Sequence, residues 1–211
     1  MSNATYLFEK PEREFHHSEP FWSAYFALLS MYLAKANPTA GFPLWRPDEQ
    51  DRFHACGILS VRNWSLTNLV VEGQLNEVPF QQGSWPNEFG RLRPDITYWD
   101  AKKRVVTFIE TKTIGTNLRD KIDLYRSVRD YMREQKWTSN FYYLLSHGHE
   151  EVRDWPFIVK HQIPCILWED VLQVARTTPL GSILGLSEKE WADYTAPPAD
   201  LMNEVRNPMS P

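Results

Sequence analysis

The stretch RLRPDITYWDAKKRVVTFIETKT, Arg91 to Thr113, constrains the chain more than any other segment. Two apolar runs rich in β-branched and aromatic residues flank the polar tetrapeptide DAKK, the pattern of two strands joined by a turn. Strands are therefore expected over Arg91–Trp99 and Arg104–Lys112. Yet Asp95 follows a proline at the start of the first run, and Glu110 and Lys112 interrupt the end of the second. Charges placed where a sheet should be buried mark a paired structural site or a chemical one. With the turn centred between Ala101 and Lys102, Asp95 pairs across from Phe108, and alternation puts Glu110 and Lys112 on the same face. Asp95 and Glu110 are then diagonal neighbours, roughly 7–8 Å apart at the backbone. A turn one residue longer would send them to opposite faces.

The chemistry of this set is coherent. Two carboxylates and the Thr111 backbone carbonyl offer hard oxygen ligands, which suit Mg²⁺ or Mn²⁺ with several waters retained. A metal beside a phosphodiester lowers the pKa of its bound water and neutralises charge developing on the phosphate. An ammonium beside it, Lys112, would orient the attacking water and stabilise the same charge. The competing reading of these residues is an ion pair on an exposed sheet face, which would contribute little.

The surrounding sequence gives those strands a context. Ser18 can cap a helix from Glu19 to about Ala36, with Pro20 tolerated in its first turn. Trp22, Tyr25, Phe26, Leu29, Tyr32 and Leu33 form its apolar stripe, while Ala24, Ala27 and Ser30 lie on other faces. ANPTAGFPLWRPDEQ reads as a loop because Pro and Gly recur. LVVEGQL, Leu69 to Leu75, reads as a strand. NLRDKIDLYRSVRDYMREQKW reads as a helix with Ile122, Tyr125, Val128 and Met132 along its apolar stripe. FYYLLS and IPCILW are runs typical of interior strands, and EDVLQVAR starts another helix. The order strand, hairpin, helix, strand predicts an α/β fold: a mixed β-sheet flanked by α-helices, with a right-handed crossover. One domain is expected over residues 1–196, with an N-terminal helical part in 1–60 and a core at about 61–176. Residues 197–211 form a Pro-rich tail.

A length of 211 residues suits one sizeable domain, and 14% aromatic residues, including nine Trp, supply large flat side chains for its core. The net charge of −4 means that a nucleic-acid partner would be met by a local basic patch or through metal. Arg126, Arg129, Arg133 and Lys136 follow i, i+3, i+7, i+10, one basic stripe that could follow a phosphate backbone with Lys102, Lys103 and Arg104. Interleaved Asp130 and Glu134 suit a solvated helix face equally well. Cys56 and Cys165 are the only cysteines and the N-terminus carries no secretory signal, so reduced thiols and a cytoplasmic location are expected. The apolar stretch around Phe21 to Leu33 is too short for a membrane span. His147 and His149, and the HHSE run from His16 to Glu19, have no further ligand at supporting spacing.

RPDI and ETK, with fourteen residues between Asp95 and Glu110, resemble the signature of the PD-(D/E)xK nuclease superfamily. The lead-in VVTFI, the loop TIGTN and the segment KIDLYRSVRDY match the family's order of strand, catalytic turn and helix, over roughly Leu69 to Ser146. The resemblance implies a restriction-endonuclease-like fold and a Mg²⁺-dependent endonuclease acting on nucleic acid, DNA foremost, in a family whose members often work as homodimers. It implies that Asp95 and Glu110 are metal ligands and Lys112 the catalytic lysine. Many relatives add an acidic residue from the first core helix. Glu19 is the best match, although a glutamate there also complements the helix dipole; Glu72 and Glu88 are weaker matches. Where some relatives carry a helix Gln, Lys121 stands here. A catalytically degenerate module of this class, binding nucleic acid or protein without cleaving, is the alternative.

Overall fold

In a computed structural model the described residues are 19–37, 39–49, 52–75, 78, 85–90, 92–112, 122–146 and 155–195. They build one seven-stranded mixed sheet with helices on both faces. The strands are β1 (Gly41–Pro47), β2 (Phe53–Ser60), β3 (Leu69–Val71), β4 (Ile96–Asp100), β5 (Val105–Thr111), β6 (Thr138–Leu145) and β7 (Cys165–Leu167), in the order β2-β1-β7-β6-β5-β4-β3. The β5–β6 and β6–β7 pairs are parallel and the remainder antiparallel. Helices α1 (Glu19–Ala36), α2 (Asn87–Gly90), α3 (Ile122–Glu134), α4 (Trp155–His161), α5 (Trp168–Arg176) and α6 (Glu188–Thr195), with a 3₁₀ turn at Pro179–Leu184, complete the order. No helix among the described residues is long and apolar enough to cross a membrane.

Alternation in the strands decides which helix covers which face. Ile96, Tyr98, Ile109, Leu144 and Ile166 point to one face and pack with α1 and α5. Trp99, Val106 and Phe108 point to the other, where Tyr125, Val128 and Met132 of α3 meet them. The expected stripe of α3 is the buried one, Ile122 included. Helix α1 has the expected bounds, but Ser23, Ala27 and Ser30 are buried while Tyr32 is 38% exposed. The small residues sit against the sheet, which lets the helix approach closely, and the packed face is wider than one stripe.

Three expectations are corrected. GFPLWRP is strand β1, not loop, and with β2 it draws residues 41–60 out of the expected helical N-terminal part and into the sheet. The strand at Leu69 ends at Val71, because Glu72 turns to φ 56°. The first hairpin strand is shorter than read, beginning at Ile96. The segment TIGTN, Arg119, Lys121, both histidine pairs, Ser18 and the Pro-rich tail lie outside the described residues.

The first turn of helix α5 carries a half-buried carboxylate, Asp170. Trp45 Nε1–H donates to Asp170 Oδ2 at 2.7 Å, yet burial raises the Asp170 pKa above 3.8, a shift the Trp45 bond only partly offsets. A carboxyl group whose pKa is raised by folding favours the native state below its unfolded pKa and loses that contribution as pH rises through the folded value. Asp170→Asn keeps an acceptor for Trp45 and removes the desolvated charge. It is expected to be more stable than the parent at pH 7, with the gap closing as pH falls toward 4, read by urea denaturation across pH.

Candidate functional site

The β4–β5 turn brings the charged residues together. Asp100 Oδ1 accepts the backbone N–H groups of Lys102 and Lys103, each at 3.0 Å, and Arg104 adopts φ 53°. The reversal thereby occupies residues 101–104 and centres between Lys102 and Lys103, with Asp100 paired to Val105 and Ile96 to Ile109. Continued by one step, this register sets Asp95 directly opposite Glu110, instead of opposite Phe108. The pairing is displaced by two residues, and a displacement by two keeps every side chain on its expected face. By parity Asp95 and Glu110 therefore share the α3 face, where both charges act on Tyr125.

Each carboxylate is held by a neutral donor. The Thr111 backbone N–H donates to Asp95 Oδ2 at 2.6 Å. The Tyr125 hydroxyl, reaching from α3, donates to Glu110 Oε1. Burial, the Glu110 charge and hydrogen bond, and the charge of Asp95 push the Tyr125 pKa well above 10, so its proton stays in place. The backbone is fixed as tightly. The Glu72 N–H donates to the Asp95 carbonyl at 2.9 Å, and the Lys112 N–H to the Leu144 carbonyl at 2.7 Å.

Lys112 lies one residue past β5 and is buried. Its Nζ sits 3.6 Å from Glu110 Oε2 and 4.0 Å from Glu19 Oε1, tying the hairpin to the first turn of α1. Beneath this contact, Ser23 Oγ is 3.0 Å from both the Glu19 carbonyl oxygen and Thr111 Oγ1. The first turn of α1 is thus anchored on the end of β5. Asp95, Glu110 and Lys112 are all buried in the fold, so their ion pairing is not the exposed-face contact that the bland reading required.

Of the weaker acidic matches, Glu72 approaches through its backbone, whereas Glu88 is exposed on α2. Among the described residues no three His, Cys, Asp or Glu side chains are grouped as a ready-made metal site. The donor set nevertheless fits a hard divalent cation in kind: two anchored carboxylates beside the Thr111 backbone, all oxygen and no sulfur or imidazole.

Ser23 and Tyr125 were not legible as members of this cluster. Tyr125 stands at a regular position of the α3 stripe and reads as core. One signal was available, since a buried tyrosine hydroxyl usually finds a polar partner.

The basic stripe on α3 divides. Arg126 pairs with Asp123 at 3.3 Å, while Arg129 and Arg133 both lie near Asp130, at 3.7 and 3.4 Å. Lys136 ends the stripe just past the helix at φ 61°. Arg126 also donates to His161 Nδ1, whereas Arg133 stands exposed on the outer surface.

Compared with family models, curated proteins and solved structures, the chain finds no match in any of the three.

Proposed function

We propose that the protein is a divalent-metal-dependent nuclease of the restriction-endonuclease-like, PD-(D/E)xK class, hydrolysing phosphodiester bonds, in DNA by preference. The observation that carries this reading is the burial of Asp95 and Glu110 at one end of the hairpin, Asp95 bonded to the Thr111 N–H and the Lys112 ammonium 3.6 Å from Glu110. Among the described residues two carboxylates, Glu110 and Glu19, lie within 4.0 Å of the Lys112 ammonium.

In this reading Asp95 and Glu110 would hold Mg²⁺ or Mn²⁺ together with the Thr111 carbonyl, and Glu19 would border the set. The metal, when bound, supplies a water of lowered pKa and neutralises charge on the phosphate. The protein's own groups do the remainder. Thr111 N–H and the Tyr125 hydroxyl fix the two carboxylates so that no reorganisation is needed as charge develops. Lys112 directs its N–H donors toward the attacking water and the phosphate oxygens. Arg126, Arg129 and Arg133 would meet the phosphate backbone.

Incubation with plasmid, single-stranded DNA and RNA, each with Mg²⁺, Mn²⁺ or EDTA, tests the reading. DNA cleavage that requires metal and stops with EDTA is the expected result. Binding without cleavage under every condition would instead assign the degenerate, non-cleaving module.

A further inference from the structure

The sheet has a gap. β7 contributes only three residues between seven-residue β1 and eight-residue β6, pairing with β6 at Tyr143–Leu145 and with β1 at Trp45. Among the described residues, 138–142 of β6 consequently have no strand neighbour on that side. The sheet opens there into a cleft of about 450 Å³, closed below by the α4–β7 connection at residues 161–164. This is the size range of small-ligand sites.

Its lining is one-sided in charge. Arg46 enters from β1 and Arg126 and Arg129 from α3, beside the His161 ring at the end of α4, and among the described residues no Asp or Glu lines the cleft. Asp123 and Asp130, which pair with the two α3 arginines, stand outside it. Arg46 makes no ion pair among the described residues. Phe141 and Tyr142, both partly exposed, supply aromatic walls. Ser139, also on the lining, carries a buried hydroxyl that finds no hydrogen-bond partner among the described residues. Guanidinium groups recognise phosphate through charge-assisted, forked hydrogen bonds, and partly exposed rings accept a planar heterocycle.

We propose that this cleft binds a small phosphorylated ligand of nucleoside-monophosphate size, its phosphate on Arg46, Arg126 and Arg129 and its ring against Phe141 or Tyr142. The site is separate from the Asp95–Glu110 cluster. Among the described residues the two share Tyr125, which lines the cleft and whose hydroxyl holds Glu110. The proposal does not rest on nuclease activity, and it assigns Arg126 and Arg129 to this ligand in place of a nucleic-acid backbone, leaving Arg133 to the latter.

Calorimetric titration of the full chain with AMP and with inorganic phosphate, in EDTA so that no metal chemistry intervenes, tests it. AMP is expected to bind, and inorganic phosphate to compete with it at lower affinity. Arg46→Glu and Arg129→Glu should each weaken AMP at least about tenfold, the usual scale for losing a charge-assisted hydrogen bond. Lys35→Glu makes the same change of charge on α1, across the sheet, and should leave AMP affinity within about twofold. Both arginines are exposed, and an unchanged melting temperature in each variant would confirm that they fold. Equal AMP affinity in the parent and Arg46→Glu overturns the proposal, as does failure of AMP to bind at millimolar concentration. Binding of a single-stranded oligonucleotide through these arginines without AMP binding also overturns it, assigning the cleft to a nucleic-acid strand.

Discussion

Replacing Lys112 with alanine is expected to lower DNA cleavage by about 10²-fold or more while leaving Mg²⁺ binding measurable, the scale of losing one positioned electrostatic or proton-transfer group. The oxygen ligands stay where they are, because Asp95 is held by the Thr111 N–H and Glu110 by Tyr125, neither through the lysine. Asp95 substitutions should behave differently, losing metal affinity and cleavage together. Asp95→Ala would also strand the buried Thr111 N–H, at a cost of about 1–3 kcal/mol. Asp95→Asn is the cleaner variant, since it keeps an acceptor for that N–H and removes only the charge. Metal binding can be read without cleavage from the stabilisation that Mg²⁺ confers, about 2.7 kcal/mol at a hundredfold excess over Kd. Lys112→Ala should retain that stabilisation and Asp95→Asn should lose it. Parental cleavage by Lys112→Ala beside a dead Asp95→Asn would keep the metal site and remove the lysine's role. If neither change matters, the activity resides elsewhere in the chain.

The same residues show how far sequence alone reaches. Helix α3 was legible because its moment is strong: Ile122, Tyr125, Val128 and Met132 lie on one face with arginines and acids on the other. The hairpin face was legible because parity is robust. An error of two in the pairing leaves Asp95 and Glu110 on the same side, although a guessed turn centre cannot resolve diagonal from direct pairing. Strand β1 was not legible, for a reason the sheet supplies. Pro43 and Pro47 signal a loop in any local reading. β7 is so short that β1 pairs with it only at Trp45, and β1 is close to an edge strand where its prolines fall. A proline is tolerated there because few N–H donors are required. The anchoring of Glu19 to Lys112 and of Ser23 to Thr111 joins residues about ninety positions apart. No local period encodes such a contact.

Trp22→Ala is expected to be the most damaging core substitution on α1, costing about 3–5 kcal/mol of stability. That is a large share of the roughly 5–15 kcal/mol that holds a domain folded. Trp22 is fully buried, and its ring meets that of Trp168 edge-on, with centroids 4.9 Å apart and planes at 64°. Removing it leaves a cavity at the junction of α1, α5 and the sheet and also loses the aromatic pair, worth about 0.5–1.5 kcal/mol beyond area. For a chain of this length the melting temperature should fall by about 6–20 °C. Trp22→Phe keeps a ring against Trp168 and should recover more than half of the loss. The effect should also reach the site, because Trp22 sits between Glu19 and Ser23 on the same first turns, and those two residues meet Lys112 and Thr111. Assayed well below its melting temperature, where the variant remains folded, Trp22→Ala should therefore cleave more slowly than Trp22→Phe. A loss of stability below about 1 kcal/mol would mean that neighbouring side chains refill the space. The packing of Trp22 would then not be what holds the first turn of α1 against β5.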